Sequence, residues 1–174
     1  MMVDLNKLAA ELHEAAVKKG FWAVEDAETK HGAKMVSAIG DIVQADRAGI
    51  MYEIEREGAK PEGIVAELAD FVMMTLDLLV QLGADFDAVA EVCTDYNALK
   101  TLTEHIETHM LAMVLAAKLI SFAADADNTM GSGLAYTIHI AAAWAETHGY
   151  DLWDIIRVKM EYNRSRPKLH GRLY

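Results

Sequence analysis

Only two prolines, Pro61 and Pro167, occur in 174 residues. Proline removes a backbone donor and breaks helices, so its scarcity leaves long uninterrupted stretches. These are rich in Ala, Leu and Met, which favour helix, and their apolar residues recur at helical spacing. The fold class predicted is therefore all-α. The one strand-like stretch, "LAYTIHIAA" (residues 134–142), has few β-branched residues, and its Ala-rich continuation returns it to helix.

The spacing predicts seven helices. The first covers Asp4 to Lys19 and stops at Gly20. After the loop "GFWAVEDAET" the second runs from Lys30 to Glu57, with Gly40 and Gly49 inside it where another helix or a ligand comes close. Pro61 suits the start of the third, Glu62 to Leu82, because its missing N–H has no partner there. Asp85 caps the fourth, Phe86 to Asn97. Thr101 or Thr103 caps the fifth, which runs to Ala124. "DADNTMGSG" is a polar turn. The sixth covers Leu134 to Thr147, and Asp151 caps the seventh, which reaches Arg164. The tail after Pro167 is predicted to be extended.

Two parts of this pattern repeat. Residues 67–100 align with residues 133–166 without a gap. Gly83 meets Gly149, Asp85 meets Asp151, and Tyr96–Asn97 meets Tyr162–Asn163. "MVSAIGDIVQA" from Met35 also sits over "MVLAAKLISFA" from Met113. The same cap residues in the same order indicate an internal duplication. The chain is read as one all-α domain (1–174), with a first repeat over 1–100 and a second over 101–174.

A net charge of −11 and a pI near 5.0 repel phosphate backbones, so duplex nucleic acid is not an expected partner. Apolar runs broken by Asp77 and Lys118 are too short to span a bilayer. The start "MMVDLNKLAAELHEAAVKKG" has no apolar signal core. A single cysteine, Cys93, forms neither an internal disulfide nor a thiolate zinc cluster. The expected location is cytoplasmic.

The third helix carries three carboxylates in an oily setting. At 100° per residue, Glu67, Asp70, Met74 and Asp77 share an arc of about 80°, while Leu68, Val72 and Leu79 face elsewhere. Clustered carboxylates need a cation when buried. Mg²⁺ suits hard oxygen ligands and bridges to phosphate; a solvated helix face accounts for the same charges. Asp41 stands in a similar apolar stretch, sharing a face with Gln44 and Ala48.

"ELAD" (67–70) followed by "LD" (76–77) resembles the E-x-x-D motif of MazG-like nucleotide pyrophosphohydrolases, within the all-α NTP pyrophosphatase superfamily that includes dimeric dUTPases and dCTPases. "ELHEAAVKKGFW" (11–22) is similar to the start of phage and bacterial members, and "KMEYNRSRPKLHGRLY" (159–174) to their ending. The resemblance implies Mg²⁺- or Mn²⁺-dependent cleavage of a nucleoside triphosphate to the monophosphate and pyrophosphate. It also implies a bundle of two similar repeats and assembly as a homodimer. Asp41, Glu67 and Asp70 would hold metal, Glu67 or Asp41 would orient the attacking water, and Asp77 would bind metal or ribose. By the same resemblance Phe21 and Trp22 lie where family members place aromatics against the base; a hydrophobic plug between helix ends is the alternative.

Departures from the family pattern are specific. Its first motif, E-x-x-E, falls here on Ala38 and Asp41. In the second repeat the four metal positions become Ala116, Leu119, Gly133 and Tyr136, as in dimeric dUTPases whose degenerate half supports the active one. Two functions stay open: the hydrolase, and a weakened or inactive relative that binds nucleotide or a protein partner. Asn97, Lys100, Asn163, Arg164 and Arg166 are candidates for the phosphates, although Asn97 and Asn163 also fit as shared helix-ending residues. His105 and His109, four apart in "HIETH", have zinc-ligand spacing but no third ligand, and are read as surface residues. His139 is read as an interior histidine with a satisfied ring.

Overall fold

A computed structural model describes residues 3–56, 58–91, 95–124 and 131–173. Cys93 and most of the "DADNTMGSG" turn lie outside them. The described residues form eight α-helices and no strand, so the chain is all-α and "LAYTIHIAA" is helical. No helix among them is long and apolar enough to cross a membrane.

Helix α1 (Leu5–Lys18) starts where Asp4 accepts a hydrogen bond from the Lys7 N–H, and it buries Leu8, Ala9 and Leu12. Helix α2 (Ala27–Ala48) ends at Gly49, not at Glu57 as the sequence predicted. Gly49 takes φ +71°, and its N–H caps the last carbonyls of the helix, a conformation favourable to glycine. The chain then turns through an isolated antiparallel bridge between Glu53 and Glu62. Gly40 has open space where a Cβ would stand, so no helix approaches closely there.

Helix α3 (Ile64–Gln81) is buried on nearly every side, with Leu68, Val72 and Leu79 at most 1% exposed. An apolar helix closed in this way forms the middle of a bundle rather than its surface. Where the sequence predicted a fourth helix to Asn97 and a fifth capped by Thr101 or Thr103, the structure has α4 (Phe86–Glu91) and a separate α5 (Tyr96–Thr103) that contains both threonines. Asp95 restarts the helix by accepting from the Ala98 N–H. Helix α6 (Thr108–Ala124) follows, then α7 (Gly131–Thr147) and α8 (Leu152–Ser165). His105 falls in the turn before α6, so it and His109 do not share a helix; both are exposed. His139 on α7 is half-buried, and its Nε2 donates to the Val89 carbonyl at 2.8 Å.

The segment after Pro167 is not extended. It makes a 3₁₀ turn over Lys168–Gly171 and folds back onto α1, with the Leu169 N–H donating to the Lys19 carbonyl at 2.9 Å.

The packing closes a ring of four helices. α2 lies on α3, α6 on α7, α2 on α6, and α3 on α7. The shorter helices cross over: α4 follows α3 in sequence but packs on α7, whereas α8 follows α7 and packs on α3. Residues borne by α8 are therefore delivered to the face of α3.

Candidate functional site

A cleft of about 1060 Å³ opens between α1, α2, α3 and α8. Asp41 from α2 and Glu67, Asp70 and Asp77 from α3 all line it, with Ala38 beside them. Only 8% of Glu67 and 5% of Asp77 is exposed. The packing explains the stripe: α3 turns its other faces into the core, so these carboxylates meet the one space left open.

Ammonium groups face two of the carboxylates. Lys60, on the loop before α3, donates to Glu67 Oε1 at 3.3 Å. Lys159 of α8, 1% exposed, lies 2.6 Å from Asp70 Oδ2 and donates to the Ala66 carbonyl at 2.9 Å. Burial pushes the Asp70 carboxyl above its usual range, against the downward pull of Lys159. Burial also raises Asp41, and the charge of Glu67 raises it further. Burial opposes the charge on Lys60, but Glu67 outweighs it and holds that ammonium above its ordinary range. Burial disfavours the charged carboxylates most, the charge of Glu67 adds to it on Asp41 and Asp70, and the same charge favours the ammonium of Lys60.

Asp77 is held at the deep end. Its Oδ1 accepts from His13 Nδ1 at 2.7 Å and from Trp22 Nε1 at 2.9 Å. Burial raises its carboxyl, and these two hydrogen bonds pull it back. His31 stacks on the Trp22 ring with centroids 4.8 Å apart and donates from Nε2 to the Met74 carbonyl at 2.9 Å. Burial and the nearby Lys34 lower His31 to about 4, so it is neutral at pH 7. Trp22 is thus bound to a floor carboxylate and is not part of the cleft lining, which contains Phe21 instead. Lys34 sits over the Phe21 ring at 3.9 Å from its centroid, and His170 meets that ring edge-on at 5.0 Å. Burial brings Lys34 down to about 8.

The rim is basic. Seven of the 16 Lys and Arg residues line the cleft (Lys18, Lys19, Lys34, Lys60, Arg164, Arg166 and Arg172), against six of the 27 Asp and Glu residues. Positive charge is therefore concentrated here in a chain that is strongly acidic overall. Lys19 is committed to structure, donating to the Arg164 and Arg166 carbonyls. Asn163 also lines the cleft and accepts from Arg166 at 3.3 Å.

Asn97 and Lys100 are not brought to this cleft. They lie on α5, which packs against α7, and Lys100 pairs with Glu146 of α7 at 2.7 Å. The crossed packing explains the division: the residues that follow the acidic half serve the other half. At the matching place in the second half, Leu119 is buried, Ala116, Gly133 and Tyr136 are half-buried, and Lys118 lies 5.7 Å from the centroid of the Tyr136 ring.

Sequence reading missed Lys60 and the contact of Lys159. The latter had a signal. Leu152, Ile155, Ile156 and Lys159 form one buried stripe on α8, and a lysine in such a stripe requires an acidic partner.

Among the described residues, no three His, Cys, Asp or Glu side chains are grouped so as to enclose an ion. The donor chemistry nevertheless suits a hard divalent cation at Asp41 and Glu67, which offer carboxylate oxygens. The cation now on Glu67 is removable, because the Lys60 side chain is 45% exposed. Comparison of the chain with protein-family models, curated proteins and solved structures finds no match.

Proposed function

We propose that this protein is a nucleoside triphosphate pyrophosphohydrolase dependent on Mg²⁺ or Mn²⁺, built from a MazG-like duplication whose first half keeps the carboxylates. The observation that carries this reading is a carboxylate floor and a basic rim in one cleft. A cation-bearing polyanion satisfies both, and the cleft, at about 1060 Å³, is slightly larger than the roughly 300–1,000 Å³ of typical small-molecule sites. The resemblance of "ELAD" and "KMEYNRSRPKLHGRLY" to the MazG-like family supports it, as does the reciprocal packing of α4 on α7 and α8 on α3.

In this reading Arg166 and Lys34 neutralise the phosphates, and Asn163 positions Arg166. Phe21 offers the apolar surface for the base. Asp41 and Glu67 would hold the ion, and either would orient the attacking water through its free oxygen. A bound divalent ion supplies charge neutralisation and lowers the pKa of that water. Asp77, tied to His13 and Trp22, shapes the floor.

The competing reading, a protein that binds nucleotide without efficient cleavage, is favoured by Ala38 and by the ammonium groups on Glu67 and Asp70. One assay separates the two. Incubation with Mg²⁺ or Mn²⁺ and a panel of ribo- and deoxynucleoside triphosphates is expected to release pyrophosphate, and Glu67→Gln is expected to abolish the release. Nucleotide binding without pyrophosphate release would select the binding protein.

The assembly proposed is a homodimer through α6. Met110, Met113 and Ile120 are 50%, 70% and 67% exposed and fall with Ala117 on one helical stripe. Exposed apolar stripes of this kind mark interaction surfaces. Helix α6 contains no acidic residue, so on a chain of charge −11 it is a face where two copies meet with little repulsion.

A further inference from the structure

Lys159 is a charge the cleft cannot lose. Helix α8 carries it in line with Leu152, Ile155 and Ile156, so its side chain enters the core with theirs. Its Nζ lies 2.6 Å from Asp70 and 2.9 Å from the Ala66 carbonyl. Only 1% of the residue is exposed, so this ammonium is held inside the bundle behind Asp70, which faces the cleft. Lys60 differs, because its side chain is 45% exposed and can leave Glu67. The charges at this end of the cleft then divide in two. Asp70 is matched by a fixed cation. Asp41 and Glu67 keep two negative charges, which one divalent ion neutralises once Lys60 turns outward. Ala38, where a further carboxylate would stand in the MazG-like pattern, fits the same count.

Taking the metal-dependent reading above as its basis, we propose that Lys159 is a built-in cation standing in for a second metal ion. The cleft accordingly takes one divalent ion, on Asp41 and Glu67, while Asp70 serves Lys159. The half of the chain without the acidic motif thereby supplies a working charge to the half that has it, through the crossed packing of α8 on α3.

Calorimetric titration with Mn²⁺ in the absence of nucleotide tests this. The wild-type protein is expected to bind one ion. Lys159→Met releases Asp70, and is expected either to admit a second ion or to raise Mn²⁺ affinity by about tenfold through the added negative charge. Because an unpaired carboxylate destabilises this half-buried position, a double variant, Lys159→Met with Asp70→Asn, replaces the whole pair with neutral groups, a change such ion pairs often tolerate. It is expected to keep one Mn²⁺ site within about threefold of wild-type affinity. Two ions on the wild type, an unchanged affinity in folded Lys159→Met, or loss of binding in the folded double variant would overturn the proposal while leaving a metal-dependent site standing. No Mn²⁺ binding by the wild type would remove the metal reading itself, and this inference with it.

Discussion

At the scale of single residues, the floor of the cleft is arranged by burial and pairing. Removing one partner of a fully buried ion pair typically destabilises by about 3–5 kcal/mol; the Asp70 side chain is 29% exposed to the cleft, so Lys159→Ala is expected to lower unfolding free energy in urea at pH 7 by less than that, on the order of 1–3 kcal/mol. The loss should shrink in mild acid, where an unpaired Asp70 takes up a proton. His31 gives a separate pH signature. Its value is about 4 in the folded protein against 6.5 for the ordinary side chain, so the unfolded chain binds more protons between those values. Stability from His31 is therefore complete above pH 6.5 and is lost as pH falls toward 4, by up to about 3 kcal/mol. The groups around it are Asp77, His13, Lys34 and Trp22. The raised Asp70 and Asp77 act with the opposite sign, since the folded form holds their protons more tightly. Comparing wild type with His31→Gln by denaturant unfolding at pH 7 and pH 4.5 isolates the histidine. The variant should lose less stability on acidification.

At the scale of elements, glycines separate a junction that needs its shape from a helix that does not. Gly63, just before α3, has φ +101°, and a Cβ there would lie 2.8 Å from the Met51 backbone. Gly63→Ala is expected to destabilise by more than the roughly 1 kcal/mol of a simple left-handed position, and to disturb Glu67 one turn later. Gly40→Ala, in a helix and facing open space, is expected to stabilise by about 1 kcal/mol. Thermal unfolding of the two variants checks both signs. Much at this scale was legible in the sequence: Asp85 and Asp151 cap helices as their positions indicated, although Thr101 and Thr103 lie inside α5 rather than capping the next helix, and the spacing of Glu67, Asp70 and Asp77 placed them on one face. What was not legible depends on contacts between distant elements. Gly49 reads alike as a helix interior or a helix end until its φ is known. The fold-back after Pro167 rests on the Lys19 carbonyl, which is remote in sequence. Asn97 and Asn163 look equivalent along the chain, and only the crossed packing of α8 onto α3 separates the one that lines the cleft.

At the scale of the whole molecule, two apolar central helices, α3 and α7, pack together, and the cleft with the carboxylates forms on the α3 side. If the exposed α6 stripe joins two copies, light scattering at micromolar concentration should give a dimer, and Met113→Glu should give a monomer that retains its helical content. A wild-type monomer would remove α6 as the interface. The site itself should stabilise the fold when filled: Mn²⁺ at about 100 times its dissociation constant should add about 2.7 kcal/mol, an increment that Glu67→Ala should eliminate. The most direct test of the central claim is a crystal structure with Mn²⁺ and a nucleoside triphosphate analogue that resists cleavage, read by the anomalous signal of manganese. The expected result is a manganese peak bound by Asp41 and Glu67, Lys60 turned away, and phosphates against Arg166 and Lys34. A nucleotide bound elsewhere, or no manganese at these carboxylates with Lys60 still on Glu67, would contradict it.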